Sequence, residues 1–207
     1  MSTLETILKE STDPAQFARA YLDYLSGLLK RLDPKAIAAF IDELEQARAN
    51  HHTVFVVGNG GSASTASHMA NDFGVGAFPG DGIPPFRVLA LTDNVAAMTA
   101  IGNDTGFENL FVSQLRIHHR PGDKLIAISA SGNSPNVVRG AEWVKDRGGR
   151  VIALVGFDGG KLKGLADVVI HAETPKGEYG PVEDIHMILD HLVYTWLLKR
   201  HRANQQR

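Results

Sequence analysis

The chain has 207 residues, 43% of them hydrophobic and 21% charged, and its formal net charge is −2 at pH 7. This length suits one domain with or without an extension, and the lack of a basic surplus argues against direct binding of nucleic acid. Because the sequence has no cysteine, no membrane-length apolar run and no signal-peptide pattern, we exclude disulfides and thiolate metal sites and expect a cytoplasmic protein.

Two amphipathic helices are predicted before the first strand. Asp13 and Asp33 each precede a proline, an arrangement typical of a capping carboxylate followed by the first helical residue. Apolar residues then recur at helical spacing, which predicts helices over residues 13–32 and from 34 to about 50. We assign residues 1–52 to a helical hairpin that either mediates oligomerisation or covers the chain's own core.

The stretch 54–73 has the pattern of a strand, a glycine-rich turn and a helix start, and it opens a predicted α/β domain of residues 53–207. Four apolar residues precede the turn GNGG (58–61), and Ser62 is the predicted N-cap of a helix that runs to Asp72. This arrangement points backbone N–H groups and a helix N-terminus at one place, which favours binding of a phosphate or another anion.

Two nucleotide-binding interpretations of this turn are disfavoured. Gly58, Gly60 and Ala63 match the fingerprint of dinucleotide-binding folds, which also requires an acidic residue about 20 positions further on, at the end of the next strand. The next predicted strand instead ends near Asp93. No Gly-Lys-Ser/Thr follows the turn, which excludes a Walker loop, and we therefore expect no nucleotide cofactor. A tight turn without any ligand is the alternative that stays open.

The predicted elements that follow alternate between helices and short apolar strands. They are a loop (81–85), a strand (86–91), a helix from 93 or 94 that breaks at 102–104, a helix (106–118), a strand (124–129), a helix to 147, strands (150–155) and (167–171), a closing helix from 181 to about 200, and a polar, frayed tail (201–207). This alternation indicates a parallel sheet covered on both faces, which is the α/β class.

In an open parallel sheet, ligands bind at the carboxyl ends of the strands, and two strands here end in turns suited to an anion. The first is the glycine turn. The second is the segment 129–134, in which Ser129, Ser131 and Ser134 supply hydroxyl groups. Three or more such donors bind a phosphate without needing a lysine. The alternative is that these serines only cap the helix that follows.

Four side chains have the chemistry to bind a metal or to transfer protons. His68 and Asp72 are four residues apart on one helix face, and Glu183 and His191 are eight apart on the closing helix. Two histidines and two carboxylates suit zinc or another divalent ion, but they equally suit an acid–base pair. A simple surface interaction between His68 and Asp72 is the third alternative.

Five motifs resemble those of the sugar isomerase (SIS) family: GNGGSASTASH (58–68), TAIGND (99–104), SASGNSPN (129–136), GFDGG (156–160) and VEDIHMILDH (182–191). Within that family, the chain resembles the phosphoheptose isomerases of heptose biosynthesis, which interconvert sedoheptulose 7-phosphate and D-glycero-D-manno-heptose 7-phosphate. The resemblance implies a three-layer αβα, flavodoxin-like fold and a homotetramer whose active sites lie between subunits.

The resemblance also implies roles for particular residues. Asp72 and His191 would be the catalytic acid–base pair. Zinc or another divalent metal would be bound by His68, Asp72, Glu183 and His191. The residues that bind the sugar phosphate would be Asn59, Gly60, Gly61, Ser62, Asn103, Asp104, Ser129, Ala130, Ser131, Ser134 and Glu183.

The chain departs from the family pattern at three of these positions. Asp72 replaces a glutamate, which retracts the carboxylate by about one bond length, and a displacement of about 1 Å can reduce a rate about a hundredfold. Ala130 replaces a threonine and loses a hydrogen bond to phosphate worth about 1 kcal/mol. Glu183 replaces a glutamine and adds a negative charge that favours a bound cation.

Two other functions stay open, the first because of the change at Asp72 and the second because the sequence indicates a phosphate site but not the length of the sugar. One is a non-catalytic SIS protein that binds a sugar phosphate or a protein partner, as one relative binds the bacterial replication initiator DnaA. The other is an isomerase of a different phosphosugar. An isomerase requires Asp72, whereas a binding module tolerates its loss.

Overall fold

The computed structural model describes residues 2–78, 80 and 83–205, with side chains up to residue 203. Within them, the strands are β1 (Thr53–Val57), β2 (Arg87–Ala90), β3 (Lys124–Ser129), β4 (Arg150–Gly156) and β5 (Val168–Ala172). They form one sheet in the order β2-β1-β3-β4-β5, and every neighbouring pair is parallel. This is the strand order of flavodoxin-like sheets, so the predicted parallel α/β fold is confirmed.

Helices precede, connect and cover the strands. They are α1 (Thr3–Glu10), α2 (Pro14–Leu29), α3 (Pro34–Ala49), α4 (Gly61–Asn71), α5 (Val95–Asp104), α6 (Leu110–His118), α7 (Pro135–Lys145), α8 (Gly160–Leu165) and α9 (Tyr179–Gln205). A π-helical turn (Asp72–Gly76) continues α4, and a 3-10 turn (Phe107–Asn109) precedes α6. Among the described residues, no helix is both long and apolar enough to cross a bilayer.

The side chains of each strand alternate between two hydrophobic cores, one on either face of the sheet. In β1, Val54 and Val56 join the core that contains residues of α3, α4 and α9. Phe55 and Val57 point the other way, into the core built with α6 and α7. Because strand side chains alternate with a period of two, a run that is apolar throughout must be covered on both faces. The three layers predicted from the sequence are therefore confirmed.

The N-terminal helices pack directly onto the α/β domain. Leu28 of α2 and Phe40 and Leu44 of α3 are buried in the same core as the sheet. The Glu43 carboxylate of α3, itself buried, accepts hydrogen bonds from Lys124 at the start of β3 and from Arg150 at the start of β4. The hairpin thus covers the chain's own core. The division at residues 52 and 53, and a further role of the hairpin in oligomerisation, stay predictions.

Helix α1 was not predicted, although its start carries a recognisable signal. Ser2 accepts a hydrogen bond from the Glu5 backbone N–H, and the Glu5 carboxylate accepts one from the Ser2 N–H. This is the reciprocal capping box that the pattern S-x-x-E indicates. The prediction overlooked it because the helix is only eight residues long and mostly polar.

Two predictions about helix boundaries near the turns were wrong. The N-cap of α4 is Gly60 and not Ser62, because Gly60 adopts a φ of 53°, which brings the chain into the helix two residues earlier than predicted. The predicted break at 102–104 does not occur, and α5 runs through Gly102 to Asp104. One glycine costs a helix only about 1 kcal/mol relative to alanine, and this helix tolerates it.

The closing helix was predicted too short at both ends. It begins at Tyr179 and continues to Gln205, so the tail is helical over residues 201–205 and not frayed. His201 explains the extension, because its ring is buried, lies 2.9 Å from a Glu45 carboxylate oxygen and packs edge-on against Phe86. Residues 206 and 207 of the predicted tail, and residues 81 and 82 of the predicted loop, lie outside the described residues.

Candidate functional site

The carboxyl ends of β1 and β3 lie side by side in the middle of the sheet, where the strand order reverses. This switch point is where flavodoxin-like sheets bind their ligands. A cavity of about 130 Å³ opens there, and seven of the substrate residues predicted from the sequence are among those that line it. The lining residues are Asn59, Ser62, Ile128, Ser129, Ala130, Ser131, Ser134, Tyr179 and Glu183.

Three serine hydroxyls converge in the turn after β3. Ser129 Oγ lies 3.4 Å from Ser131 Oγ and 3.1 Å from Ser134 Oγ. Ser134 is the N-cap residue of α7, but its hydroxyl makes no capping hydrogen bond and faces Ser129 instead. The Ser134 hydroxyl is therefore not used to cap the start of α7. Ala130, between them, has a buried side chain in the hydrophobic core, and only its backbone could serve a ligand.

A pair of amide side chains ties this turn to the glycine turn after β1. Asn59 Nδ2 donates to Asn136 Oδ1 at 2.9 Å, and Asn136 Nδ2 donates back to Asn59 Oδ1 at 2.8 Å. Asn136 is fully buried, and its Oδ1 also accepts from the Val137 N–H at 3.0 Å. Asn136 was not among the predicted site residues, although it ends the quoted motif SASGNSPN. The pair links the turn after β1 to the turn after β3.

A second group of polar side chains lies between α4 and α9. The Nε2 atoms of His68 and His191 are 3.2 Å apart, and His68 Nε2 lies 3.6 Å from Asp72 Oδ2 and 3.9 Å from Asp190 Oδ2. One potential ligand atom from each of these four residues lies within 4.8 Å of all the others. We call them the His–Asp group. It brings together three of the four predicted metal ligands and adds Asp190, which was not predicted.

Local structure orients Asp72 toward this group. Asp72 begins the π-helical turn, and its carbonyl accepts from the Ala77 N–H at 2.7 Å, which is the wider spacing of that helix type. Asn71 Nδ2 donates to Asp72 Oδ1 at 3.0 Å. The other oxygen, Oδ2, is then directed at His68. The predicted surface pairing of His68 with Asp72 is therefore part of a larger cluster.

Asp190 is the most unusual member of the group. Its side chain is fully buried, and neither carboxylate oxygen has a hydrogen-bond partner among the described residues. Burial, and after it the nearby negative charge of Asp72, raises the pKa of Asp190 to about 7. One helical turn earlier, burial lowers the pKa of the fully enclosed His186 to about 4, so this ring is neutral at pH 7 and offers Asp190 no positive charge.

The remaining predicted metal ligand, Glu183, lies at the other end of the same two helices. Its carboxylate lies against the backbone of Gly61, in space that a Cβ atom there would fill, and it lines the serine cavity. Gly61 and His68 are seven residues apart on α4, and Glu183 and Asp190 are seven apart on α9. Seven helical residues rise about 10.5 Å. The two helices thus run side by side in the same direction, with the cavity at their start and the His–Asp group about two turns later.

Four predicted substrate residues do not line the cavity, namely Gly60 and Gly61 at the start of α4, and Asn103 and Asp104. Asn103 and Asp104 lie at the end of α5, where both are exposed and Asn103 Nδ2 donates to Asp104 Oδ1 at 2.8 Å. Tyr179, by contrast, lines the cavity without having been predicted, and its ring packs edge-on against Phe157. The sequence interpretation missed Tyr179 because it began the closing helix only at Pro181.

The family model described as "SIS domain" matches residues 16–156. A phosphoheptose isomerase of Geotalea daltonii is 40% identical over 171 residues, which is 80% of this chain and 86% of the relative. The structure is similar to that of the phosphoheptose isomerase GmhA of Neisseria gonorrhoeae, with a TM-score of 0.79, 28% identity and coverage of 89% of this chain and 98% of the other. A phosphoheptose isomerase structure from Francisella tularensis gives a TM-score of 0.80 at 26% identity, covering 91% and 100%.

Proposed function

Because this chain belongs to the SIS domain family, we propose that it is a phosphoheptose isomerase that interconverts sedoheptulose 7-phosphate and D-glycero-D-manno-heptose 7-phosphate. The observation that carries the proposal is the placement of an anion cavity and the His–Asp group about 10 Å apart along the same two helices. The substrate has the same layout, since its phosphate is at one end and its carbonyl at the other.

The phosphate would bind in the serine cavity. The hydroxyls of Ser129, Ser131 and Ser134 supply neutral donors, and no side chain caps the start of α4, so its first N–H groups add the positive end of a helix dipole. Because the phosphate takes no part in bond making, its binding energy positions the reacting carbons at the far end.

The proton transfers would take place at the His–Asp group. In the ketose-to-aldose direction, a base removes a proton from C1 and an acid protonates the C2 carbonyl oxygen, which gives a 1,2-enediol. Return of a proton to C2 and loss of the C1 hydroxyl proton complete the aldose. We assign the base to Asp72 and the acid to His191. Asp72 Oδ2 and His191 Nε2 lie 3.6 and 3.2 Å from His68 Nε2, so that one side chain can reach the C1 proton while the other reaches the C2 oxygen of the same substrate.

The residues of the group also fit a divalent cation such as zinc. Imidazole nitrogens and carboxylate oxygens are the donors that zinc prefers, and the unpartnered Asp190 carboxylate is a negative charge that a cation would satisfy. A bound cation would supply Lewis-acid polarisation of the substrate carbonyl. We propose His68, His191 and Asp72 among its ligands. Because Asp72 and His191 are each proposed both as a metal ligand and as a proton-transfer group, metal content and activity have to be measured separately in variants of both residues.

We further propose that the active site is completed in a homo-oligomer, with a tetramer as the expected state. The cavity of about 130 Å³ is smaller than the roughly 300–1,000 Å³ of sites that enclose a small molecule. Asn103 and Asp104 remain exposed outside it. Large apolar side chains are also exposed on the helical hairpin and on the π-helical turn, among them Leu22 and Val75. A neighbouring copy that covers these surfaces could bring further groups to the sugar.

The test is incubation of the purified protein with sedoheptulose 7-phosphate, with and without zinc, followed by chromatographic separation of ketose and aldose phosphates. We expect aldose to form, and we expect Asp72→Asn to reduce kcat by at least about a hundredfold, the usual contribution of a general base. Asp42→Asn, an exposed aspartate on α3, is the matched control and should retain activity. Full turnover by Asp72→Asn would contradict the assignment of the base.

The non-catalytic alternative predicts a different result in the same experiment. A sugar-phosphate sensor would be stabilised against heat by sedoheptulose 7-phosphate without converting it, and Asp72→Asn would leave that stabilisation intact. Turnover of a shorter phosphosugar in preference to the heptose would instead favour an isomerase of another substrate. The specific observation behind the first alternative is that Asp72 replaces the longer glutamate of the family pattern.

A further inference from the structure

We propose that Tyr179 is a substrate-binding residue of the serine cavity, where its ring forms one wall of the phosphate site and its hydroxyl donates a hydrogen bond to the bound phosphate. The inference deepens the proposed function, because it adds a residue to the same site. It rests on that proposal only for the phosphate and does not require the heptose to be the substrate.

The start of α9 places Tyr179 at the cavity. Tyr179 is the first residue of that helix, and Glu183 stands four residues later, so that the two side chains share one face of the helix. Both line the cavity together with Ser129, Ser131 and Ser134. Because the cavity has a volume of only about 130 Å³, a phosphate held by the serines should also contact the tyrosine.

The hydroxyl of Tyr179 is available to a ligand. Tyr21 donates its hydroxyl to the Asp184 carboxylate. Tyr24 donates its own to the carboxylate of Glu178. Tyr179 is instead 53% exposed, and within the part of the chain that the structure describes its hydroxyl has no hydrogen-bond partner. A phenol hydroxyl is a donor, and a hydrogen bond from it to a phosphate oxygen would be charge-assisted and therefore strong.

The N-terminal helices hold the backbone of Tyr179 in place. Glu178, the residue before it, is buried and accepts hydrogen bonds from the Leu4 N–H at 3.0 Å and from the Tyr24 hydroxyl at 2.7 Å. Burial and the hydrogen bond to Glu178 raise the pKa of Tyr24, so this phenol keeps the proton that it donates. Because the start of α9 is fixed before any ligand arrives, little ordering of Tyr179 is needed on binding.

The ring of Tyr179 is supported by Phe157, in the turn after β4. The ring centroids are 5.0 Å apart and the planes meet at 82°, which is a favoured edge-to-face contact. Phe157 is buried and has a φ of 49°, a left-handed conformation that is costly for a bulky residue and that is often found beside ligand sites. Its carbonyl oxygen lies 2.9 Å from His171 Nε2. The motif GFDGG (156–160) thus contributes a support for the wall of the cavity.

The experiment measures binding of inorganic phosphate by calorimetry to the wild-type protein, Tyr179→Phe and Tyr179→Ala. Loss of the hydroxyl alone in Tyr179→Phe should weaken phosphate binding by about 5- to 20-fold, near the lower end for a hydrogen bond to an anion because the ring is half exposed. Tyr179→Ala, which also removes the wall, should weaken it at least as much. Trp196→Ala is the matched control and should keep the wild-type affinity within about twofold. Trp196 is similarly exposed, at 50%, on the same helix, but it lies about 25 Å further along.

A thermal unfolding series separates lost binding from lost folding. Without phosphate, Tyr179→Phe should melt within about 2 °C of the wild-type protein, because the missing hydroxyl has no partner in the fold. A fixed phosphate concentration should then stabilise the wild-type protein more than Tyr179→Phe. Wild-type phosphate affinity in Tyr179→Phe, a loss of affinity in Tyr179→Ala alone, a fall of several degrees in the melting of Tyr179→Phe without phosphate, or no phosphate binding by the wild-type protein would each overturn the inference.

Activity toward sedoheptulose 7-phosphate is measured on the same samples. Tyr179→Phe should raise the KM by a similar factor and leave the pH dependence of kcat unchanged, because the tyrosine binds the phosphate and takes no part in the proton transfers. Absence of turnover together with Tyr179-dependent phosphate binding would refute the proposed function and leave this inference standing. Turnover with a KM and a phosphate affinity that Tyr179→Phe does not change would do the reverse.

Discussion

The amide pair between Asn59 and Asn136 should be a main determinant of both stability and phosphate binding. Asn136→Ala removes two hydrogen bonds to Asn59 and one from the Val137 N–H, all between 2.8 and 3.0 Å. At about 1 kcal/mol for each bond, the variant should lose about 3 kcal/mol of unfolding free energy. For a domain of this size, this corresponds to a midpoint lowered by roughly 6–12 °C.

A double-mutant cycle tests whether the loss is specific to the pair. Asn59→Ala and Asn136→Ala should be markedly non-additive in urea unfolding, with an interaction energy of about 1–2 kcal/mol, because each single change already breaks the same two hydrogen bonds and leaves the other amide unpaired. Asn50→Ala is the control, since its exposed side chain donates a single hydrogen bond within the end of α3. It should cost less than about 1 kcal/mol.

The same variants report on function. Asn59 and Asn136 belong to the turns after β1 and β3, so breaking the pair should let the two turns move apart and raise the KM for the phosphosugar more than it lowers kcat. Additive single losses, or a loss in Asn136→Ala no larger than in Asn50→Ala, would refute the idea that the amide pair couples the turns.

Two further changes test the ion pairs of Glu43 at the amino ends of β3 and β4, and the serine hydroxyls proposed to donate hydrogen bonds to the phosphate. Glu43→Gln leaves the buried Lys124 ammonium without its carboxylate and should cost about 3–5 kcal/mol in urea unfolding, whereas the exposed Glu142→Gln should stay within about 0.5 kcal/mol. Burial alone would raise the pKa of Glu43, but hydrogen bonds from Arg150 and Lys124 hold that pKa below its usual 4.5. The stabilisation from this ion pair is therefore complete above pH 4.5 and is lost as the pH falls through the lower folded-state pKa. A wild-type acid-unfolding curve that matches the curve of Glu43→Gln would contradict this expectation. Ser134→Ala should weaken binding of inorganic phosphate by roughly 10- to 150-fold, the equivalent of one charge-assisted hydrogen bond of about 1.5–3 kcal/mol, and unchanged phosphate affinity in calorimetry would rule Ser134 out as a donor.

The features that the sequence predicted well depend on local chemistry. The strand over 124–129 was predicted with its observed ends, because an apolar run follows a Pro-Gly-Asp turn and precedes a serine-rich one. Glycine and serine turns after two neighbouring parallel strands indicated one ligand site at the carboxyl edge, and a cavity is found there. Patterns that a few adjacent residues determine can be recognised without knowing the rest of the fold.

The features that it missed depend on packing between distant elements. Helical spacing placed Glu183 and His191 on a similar face of α9, but spacing alone does not predict which residues of other elements contact each position of that face. Because α9 runs alongside α4 in the same direction, Glu183 meets the start of α4 and His191 meets His68. The inward position of Asp190 follows from the same packing, as does the burial of His201, which extends the helix.

The serine cavity is lined by hydroxyls, an amide and one carboxylate, and none of the described residues that line it is a lysine or an arginine. A site built from neutral donors selects its ligand by the direction of its hydrogen bonds and not by net attraction to negative charge. Such a site does not concentrate the many other anions of a cell, and salt screens it far less than it screens a cluster of cations. Affinity for the phosphosugar should therefore change little with ionic strength, so that selectivity is kept where nucleotides and inorganic anions are abundant.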